Sequence, residues 1–186
     1  MPRVGLTASQ IVEAAADFVD RSGWEALKLS AIADRFRVKL PSLYKHVAGL
    51  EDLRRRLRLF ALERFRIKLQ EALTAKSGQA AFETFCRVYR DFARTRPGVY
   101  AGLVQAPDPS DRELTEQSDR LLAVVFKVLE SFGLRDNALV HQTRILRSAL
   151  HGFVTLECSG GFGLPQSIEE TFKRMVAELL VCLKEP

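Results

Sequence analysis

The sequence predicts an all-α protein. Three observations carry that prediction. Apolar residues recur with a period of 3.6 along most of the chain, helix-start signatures stand ahead of several of these runs, and no segment reads convincingly as a strand. At 186 residues and 47% hydrophobic, the chain can bury a sizeable core in one large domain or two small ones. Charged residues of both signs make up 27%, as in a folded soluble protein rather than a disordered one.

The first helix starts after Thr7. Ile11, Ala14, Ala15, Phe18 and Val19 form one apolar stripe, Thr7 and Gln10 have capping-box spacing, and Gly23 is placed to end the helix. A short helix over roughly 30–37 follows, with Ile32, Ala33 and Phe36 inward. Pro41 fits the first turn of a third short helix, where its missing N–H leaves nothing unsatisfied. Leu43 and Val47 are the apolar side of that helix. Residues 48–52 break it, and a long helix runs from about 50 to 74. Its Arg54–Arg58 run reads as a solvated face. After a loop at 76–78, a helix over 79–95 buries Phe82, Phe85, Cys86, Tyr89, Phe92 and Ala93. Residues 96–98 interrupt it, and 106–109 stop the next short helix. Ser110 and Glu113 are spaced as a second capping box, opening a helix to Gly133. Asp136 is placed to cap a helix over 137–158, closed by Gly160 and Gly161. Ser167 and Glu170 form a third box before the last helix, to about Lys184. The β-branched residues of 152–158 lie inside a continuing helical stripe. A boundary near residue 50 separates a domain over 1–50 from a larger one over 51–186.

Charge is uneven along the chain. Residues 1–70 hold 14 Lys and Arg against 8 Asp and Glu, whereas 71–186 hold 14 against 15. A basic front points to a polyanionic partner. No uncharged apolar run approaches the roughly 18–20 residues needed to cross a bilayer, and Glu13, Asp17 and Asp20 argue against a signal peptide. Cys86, Cys158 and Cys182 are scattered and odd in number, which reads as buried thiols in a reducing compartment; a cytoplasmic protein is expected. His46, His141 and His151 have no metal spacing. The glycines of 160–163 follow a helix rather than a strand and lack Lys-Ser/Thr, so they read as a terminator, not a phosphate loop. No catalytic residue, metal or cofactor is expected.

A longer helix, a short helix, a tight turn and a second short helix outline a helix-turn-helix, whose second short helix enters the DNA major groove. Tyr44 and His46 then suit phosphate oxygens, and Ser42 suits a phosphate or a base edge. Lys39 and Lys45 have the reach for guanine O6 and N7, and Leu40 suits a thymine methyl. The first-turn amides around Pro41 and Ser42 favour an anion. Ser30 caps its helix or touches phosphate, with capping the stronger reading. Each good base contact discriminates by about 1–3 kcal/mol, so one copy binds weakly, and two copies about 34 Å apart fit a palindromic site. A merely solvated helix, an all-helical carrier and a constitutive DNA binder remain open as alternatives.

Residues 7–55 resemble the DNA-binding domain of the TetR-type transcriptional regulators. The resemblance rests on the Ile11–Phe18 stripe, Gly23, Ile32-Ala33, Val38, and Leu43-Tyr44-Lys45-His46-Val47 followed by Leu53. Arg37 stands where that family usually has glycine, and Leu50 where it often has lysine. "YRDFARTRPGVYAG" and "LHGFVTLECSGGFGLP" resemble the WHG-type effector domains of the same family, with Leu150 in place of the tryptophan ahead of His151-Gly152. The resemblance implies an N-terminal helix-turn-helix domain and a larger C-terminal helical ligand-binding and dimerisation domain. It implies a ligand-responsive repressor released from palindromic operator DNA by a small apolar effector. Implied partners are double-stranded operator DNA, the effector and a second copy joined through the last two long helices, with no membrane. Phe82, Phe85, Tyr89, Tyr100, Phe126 and His151 are the expected effector-binding residues, although the five aromatics read equally as core and His151 reads more often as a core or interface histidine.

Overall fold

The structure is a computed structural model that describes residues 6–184. Among them are nine helices and no strand: α1 (Ala8–Ser22), α2 (Leu29–Phe36), α3 (Leu40–Leu43), α4 (Leu50–Leu73), α5 (Gly78–Thr95), α6 (Pro97–Ala101), α7 (Arg112–Glu130), α8 (Asp136–Cys158) and α9 (Ile168–Lys184). No helix among the described residues is long and apolar enough to cross a membrane. The chain forms two compact units. The first holds the described residues to Arg64 together with Arg96–Gln117, and the second holds Phe65–Thr95 and the residues from Ser118 onward. Residue 50, the expected boundary, is the first residue of α4, and α4 as far as Arg64 groups with the N-terminal helices.

In the first unit, α1 begins on a complete capping box. The Gln10 N–H donates to Thr7 Oγ1 at 3.2 Å, and the Thr7 N–H donates to Gln10 Oε1 at 2.9 Å. Gly23 ends the helix at φ 84°, its N–H reaching the Val19 carbonyl. Ile11, Ala14, Ala15 and Val19 are buried along one face, against which α2 packs, and α3 packs on α2. The short α6 lies directly on the end of α1. A Cβ added to Gly98 would stand 2.1 Å from both the carbonyl carbon and oxygen of Val19, so this contact is backbone on backbone. Asp20 fastens it, with Oδ1 accepting from the Val99 N–H at 2.9 Å and Oδ2 accepting from Arg96 Nε.

The Arg54–Arg58 run is not a free solvated face. Arg55 makes a fork onto Asp111, Nε to Oδ2 at 2.5 Å and Nη2 to Oδ1 at 2.8 Å, and Nη2 also reaches Glu113. Arg58 donates to the Gln105 carbonyl at 2.9 Å, Arg56 to Asp52 at 3.0 Å and Arg54 to Glu51 at 3.2 Å. The loop before α7 offers carboxylates and open carbonyls within reach of α4, and guanidinium forks take them up.

Three expected caps differ. Ser110 does not cap α7: its hydroxyl turns back to Asp108, and Asp111 accepts from the Leu114 N–H at 3.1 Å. Asp136 is itself the first residue of α8, one place too late to cap it, and holds φ 48°. Ser30 lies inside α2 rather than at its cap, which is Lys28, with no side-chain bond. The third box is half made, the Glu170 N–H donating to Ser167 Oγ at 3.3 Å.

In the second unit α5 packs on α8 and α9 and buries Phe82, Phe85, Cys86, Tyr89, Phe92 and Ala93, as its spacing predicts. Arg90 lies among them, only 5% exposed. Its Nε and Nη2 donate to the two Glu157 oxygens at 2.8 and 2.7 Å, and Nη1 donates to Glu169 at 2.5 Å. The guanidinium stacks 4.5 Å from the Phe172 ring centre and 5.5 Å from that of Phe153. One side chain of α5 thus holds both α8 and α9. The α8 end closes as expected, with Gly160 at φ 70° and the Gly161 N–H on the Leu156 carbonyl at 2.7 Å.

Candidate nucleic-acid interface

The segment from α2 to the start of α4 sorts its side chains by chemistry. Ile32 and Leu43 have no accessible surface, and Val47 has 2%. Lys39, Pro41, Tyr44 and Lys45 face solvent, Leu40 is 37% and Tyr44 54% exposed, and Ser42 and His46 are half-buried. Ser30 is exposed on the second position of α2. The side chains of Lys39, Ser42, Tyr44, Lys45 and His46 have no hydrogen-bond or ion-pair partner among the described residues. Pro41 occupies the first turn of α3 as its sequence position implies.

The regular helix is shorter than the sequence predicts. It covers only Leu40–Leu43, and the chain continues through a hydrogen-bonded turn in which the His46 and Val47 N–H groups both reach the Leu43 carbonyl, at 2.8 and 3.0 Å. Two consequences follow for the expected anion site at its start. The Ser42 N–H is taken by the Lys39 carbonyl at 2.8 Å, and a helix of four residues sums few peptide dipoles. Charge at this surface therefore comes from side chains.

The expected effector residues divide between the units. Tyr100 lies on α6 in the first, and the other five lie in the second. Phe85 and Tyr89 approach to 6.1 Å between ring centres, and Phe82 packs edge-on against Phe132 at 6.0 Å. Phe82 has no accessible surface, so no water-sized void touches it. Phe126 and His151 are half-buried. A cavity of about 490 Å³ in the first unit is lined by Trp24, Arg54, Arg58, Gly102, Val104 and Leu114 among others. One of the same volume in the second is lined by Gly161, Phe162, Leu164, Ile168 and Thr171 among others. None of the six expected residues lines either. Trp24 was not legible as a cavity residue because the pairing of its turn with Gly102 spans most of a hundred residues of sequence.

A family profile described as the tetracyclin repressor-like C-terminal domain matches residues 82–179. The chain is 33% identical over 181 residues to the uncharacterized HTH-type transcriptional regulator YobS of Bacillus subtilis, covering 96% of this chain and 93% of that one. It is 36% identical over 156 residues to the uncharacterized HTH-type transcriptional regulator Rv0681 of Mycobacterium tuberculosis, covering 83% and 72%. Its fold is similar to that of the Streptomyces coelicolor TetR family protein ActR in complex with (S)-DNPA, with a TM-score of 0.67, 18% identity, and 97% and 98% of the two chains covered.

Proposed function

The chain belongs to the TetR family of transcriptional regulators, and from that premise we propose that two copies of it bind palindromic operator DNA as a repressor, in the cytoplasm, and that a small apolar effector releases it. One observation carries the DNA reading. The side chains of 39–46 that lack a partner lie exposed or half-exposed around a turn anchored by the buried Leu43 and Val47. Exposed donors and cations held on a rigid frame match phosphates and base edges. In this reading Ser30, Tyr44 and His46 meet phosphate, and Lys39, Leu40, Ser42 and Lys45 face bases. Pro41 shapes the turn that presents them.

The test is fluorescence anisotropy on the DNA upstream of the protein's own gene. Lys45→Ala is expected to weaken binding about tenfold and Tyr44→Phe by less, with log affinity falling steeply against log salt. Wild-type protein with no salt-dependent affinity for duplex DNA removes the reading.

The homodimer through α8 and α9 is supported by apolar surface left open on both helices. Ile145, Leu156 and Val181 are each about half exposed. On α8, Ile145 and Leu156 belong to one stripe with Ser148 and Gly152, all facing solvent, the geometry a partner helix needs. Ile145→Glu is expected to shift the protein from dimer to monomer in sedimentation velocity at micromolar concentration. A wild type that already sediments as a monomer overturns the dimer.

The effector reading draws on ActR, a protein of the same fold solved with a small molecule. Phe85, Tyr89, Phe126 and His151, all in the second unit, are the proposed contacts, whereas Phe82 reaches a ligand only if its packing opens. An effector weakens DNA binding only as far as it prefers the state that does not fit the operator, and a coupling of about 1–3 kcal/mol suffices.

A further inference from the structure

The first unit spends most of its arginines on itself. Arg35 pairs with Asp17 at 2.9 Å, Arg96 with Asp20, and the arginines of α4 with carboxylates and carbonyls. Arg37 stands apart. It is exposed and has no side-chain partner among the described residues. It sits on the turn between α2 and α3, two residues before Lys39. Its backbone is left-handed, φ 52° and ψ 41°, and is held there: the Arg37 N–H reaches the Asp34 carbonyl at 3.0 Å and the Val38 N–H the Ala33 carbonyl at 3.1 Å.

That closure of a helix is the natural place for glycine, because a Cβ is disfavoured in the left-handed region. A long cationic side chain is therefore kept where having no side chain is easier, and nothing within the described chain uses it. Ala75 and Asp136 also have a positive φ but bring no cation, so a positive φ alone marks nothing. What distinguishes Arg37 is an unpaired guanidinium beside the solvent-facing cluster.

We propose that Arg37 is a DNA-contacting residue whose guanidinium binds a backbone phosphate flanking the groove that α3 enters. Five donors in a planar fork match the phosphate oxygens, and the fixed left-handed turn sets the direction in which the side chain leaves. The contact rests on the DNA-binding reading above. It adds affinity without reading sequence, since phosphates carry none.

The two demands on residue 37 oppose each other, and that gives the test. Wild type, Arg37→Gly and Arg37→Ala are compared by thermal melting and by anisotropy on a labelled mixed-sequence duplex of about 30 base pairs. Arg37→Gly relieves the backbone and is expected to melt about 2–4 °C higher. Its slope of log affinity against log salt is expected to shrink by about 0.9 for each bound protomer, which at about 0.1 M salt is roughly an eightfold loss per protomer against a 1 M reference. Arg37→Ala keeps the strain and is expected to lose the same slope without the gain in melting temperature. Wild type that binds with a steep slope alongside Arg37→Gly and Arg37→Ala that bind with the same slope overturns the Arg37 contact while leaving the regulator reading intact. Wild type with no salt-dependent binding overturns both.

Discussion

Gly98→Ala is expected to destabilise the protein by about 3–5 kcal/mol, read as a fall in the urea midpoint at pH 7. The added methyl would lie 2.1 Å from the Val19 carbonyl carbon and oxygen. Those are backbone atoms inside the last turns of α1, so no rotamer change relieves the clash. Either α6 lifts off α1 or the α1 carbonyl ladder distorts. If α6 lifts, the Asp20 bonds to the Val99 N–H and to Arg96 are lost with it. Gly102→Ala makes a useful contrast. Its methyl would meet the edge of the Trp24 ring at 2.9 Å, a side chain that can shift, so a smaller loss is expected. Equal midpoints for Gly98→Ala and wild type would show that α6 does not seat on α1 as described.

Arg90→Ala is expected to cost a similar amount, about 3–5 kcal/mol, because it leaves the Glu157 carboxylate buried with no hydrogen-bonded partner and only the half-exposed Arg94 at 3.8 Å. The side chain of Glu157 is 11% exposed, so water cannot take over. Replacing the pair together, Arg90→Met with Glu157→Met, is expected to recover much of the loss, since apolar residues of similar volume tolerate such a site. The pair also sets an acid limit. Hydrogen bonds from Arg90 hold the Glu157 carboxyl below its ordinary value of 4.5, against the opposing effect of burial. A carboxyl depressed in the folded state binds protons more readily when unfolded. Its contribution is therefore complete above about pH 4.5 and is lost as the pH falls below that value. Urea midpoints at pH 7 and pH 4 should fall further apart in wild type than in the double methionine variant. Parallel midpoints in the two proteins would contradict this.

Local chemistry was legible in the sequence wherever one residue decides a local geometry. Thr7 with Gln10, Gly23, Pro41 and Gly160 did so, and the apolar stripes placed the buried faces of α1 and α5. Cap positions failed where two candidates stood side by side. Ser110 and Asp111 both suit a cap, and the choice went to Asp111, which Arg55 also holds across a separation of 56 residues. The same reason hid the contacts between distant segments. Nothing near Asp20 announces Arg96, nothing near Arg90 announces Glu157, and a glycine pressed on a carbonyl looks like any other glycine in a turn. The outward cluster of 39–46 was legible because its residue types are wrong for a core. An effector pocket was not, because an aromatic residue on a buried face serves core and cavity alike.

The first unit is assembled from two stretches with thirty-odd residues of the other unit spliced between them. A swap of specificity between relatives, made by cutting and rejoining at the start of α4, would carry Asp20 and Val19 into the chimaera and leave Arg96 and Gly98 behind. The transplanted head would meet a foreign α6 at a joint with no slack for mismatch. Workable grafts must take 96–117 along, so the portable part of this protein is discontinuous in its gene.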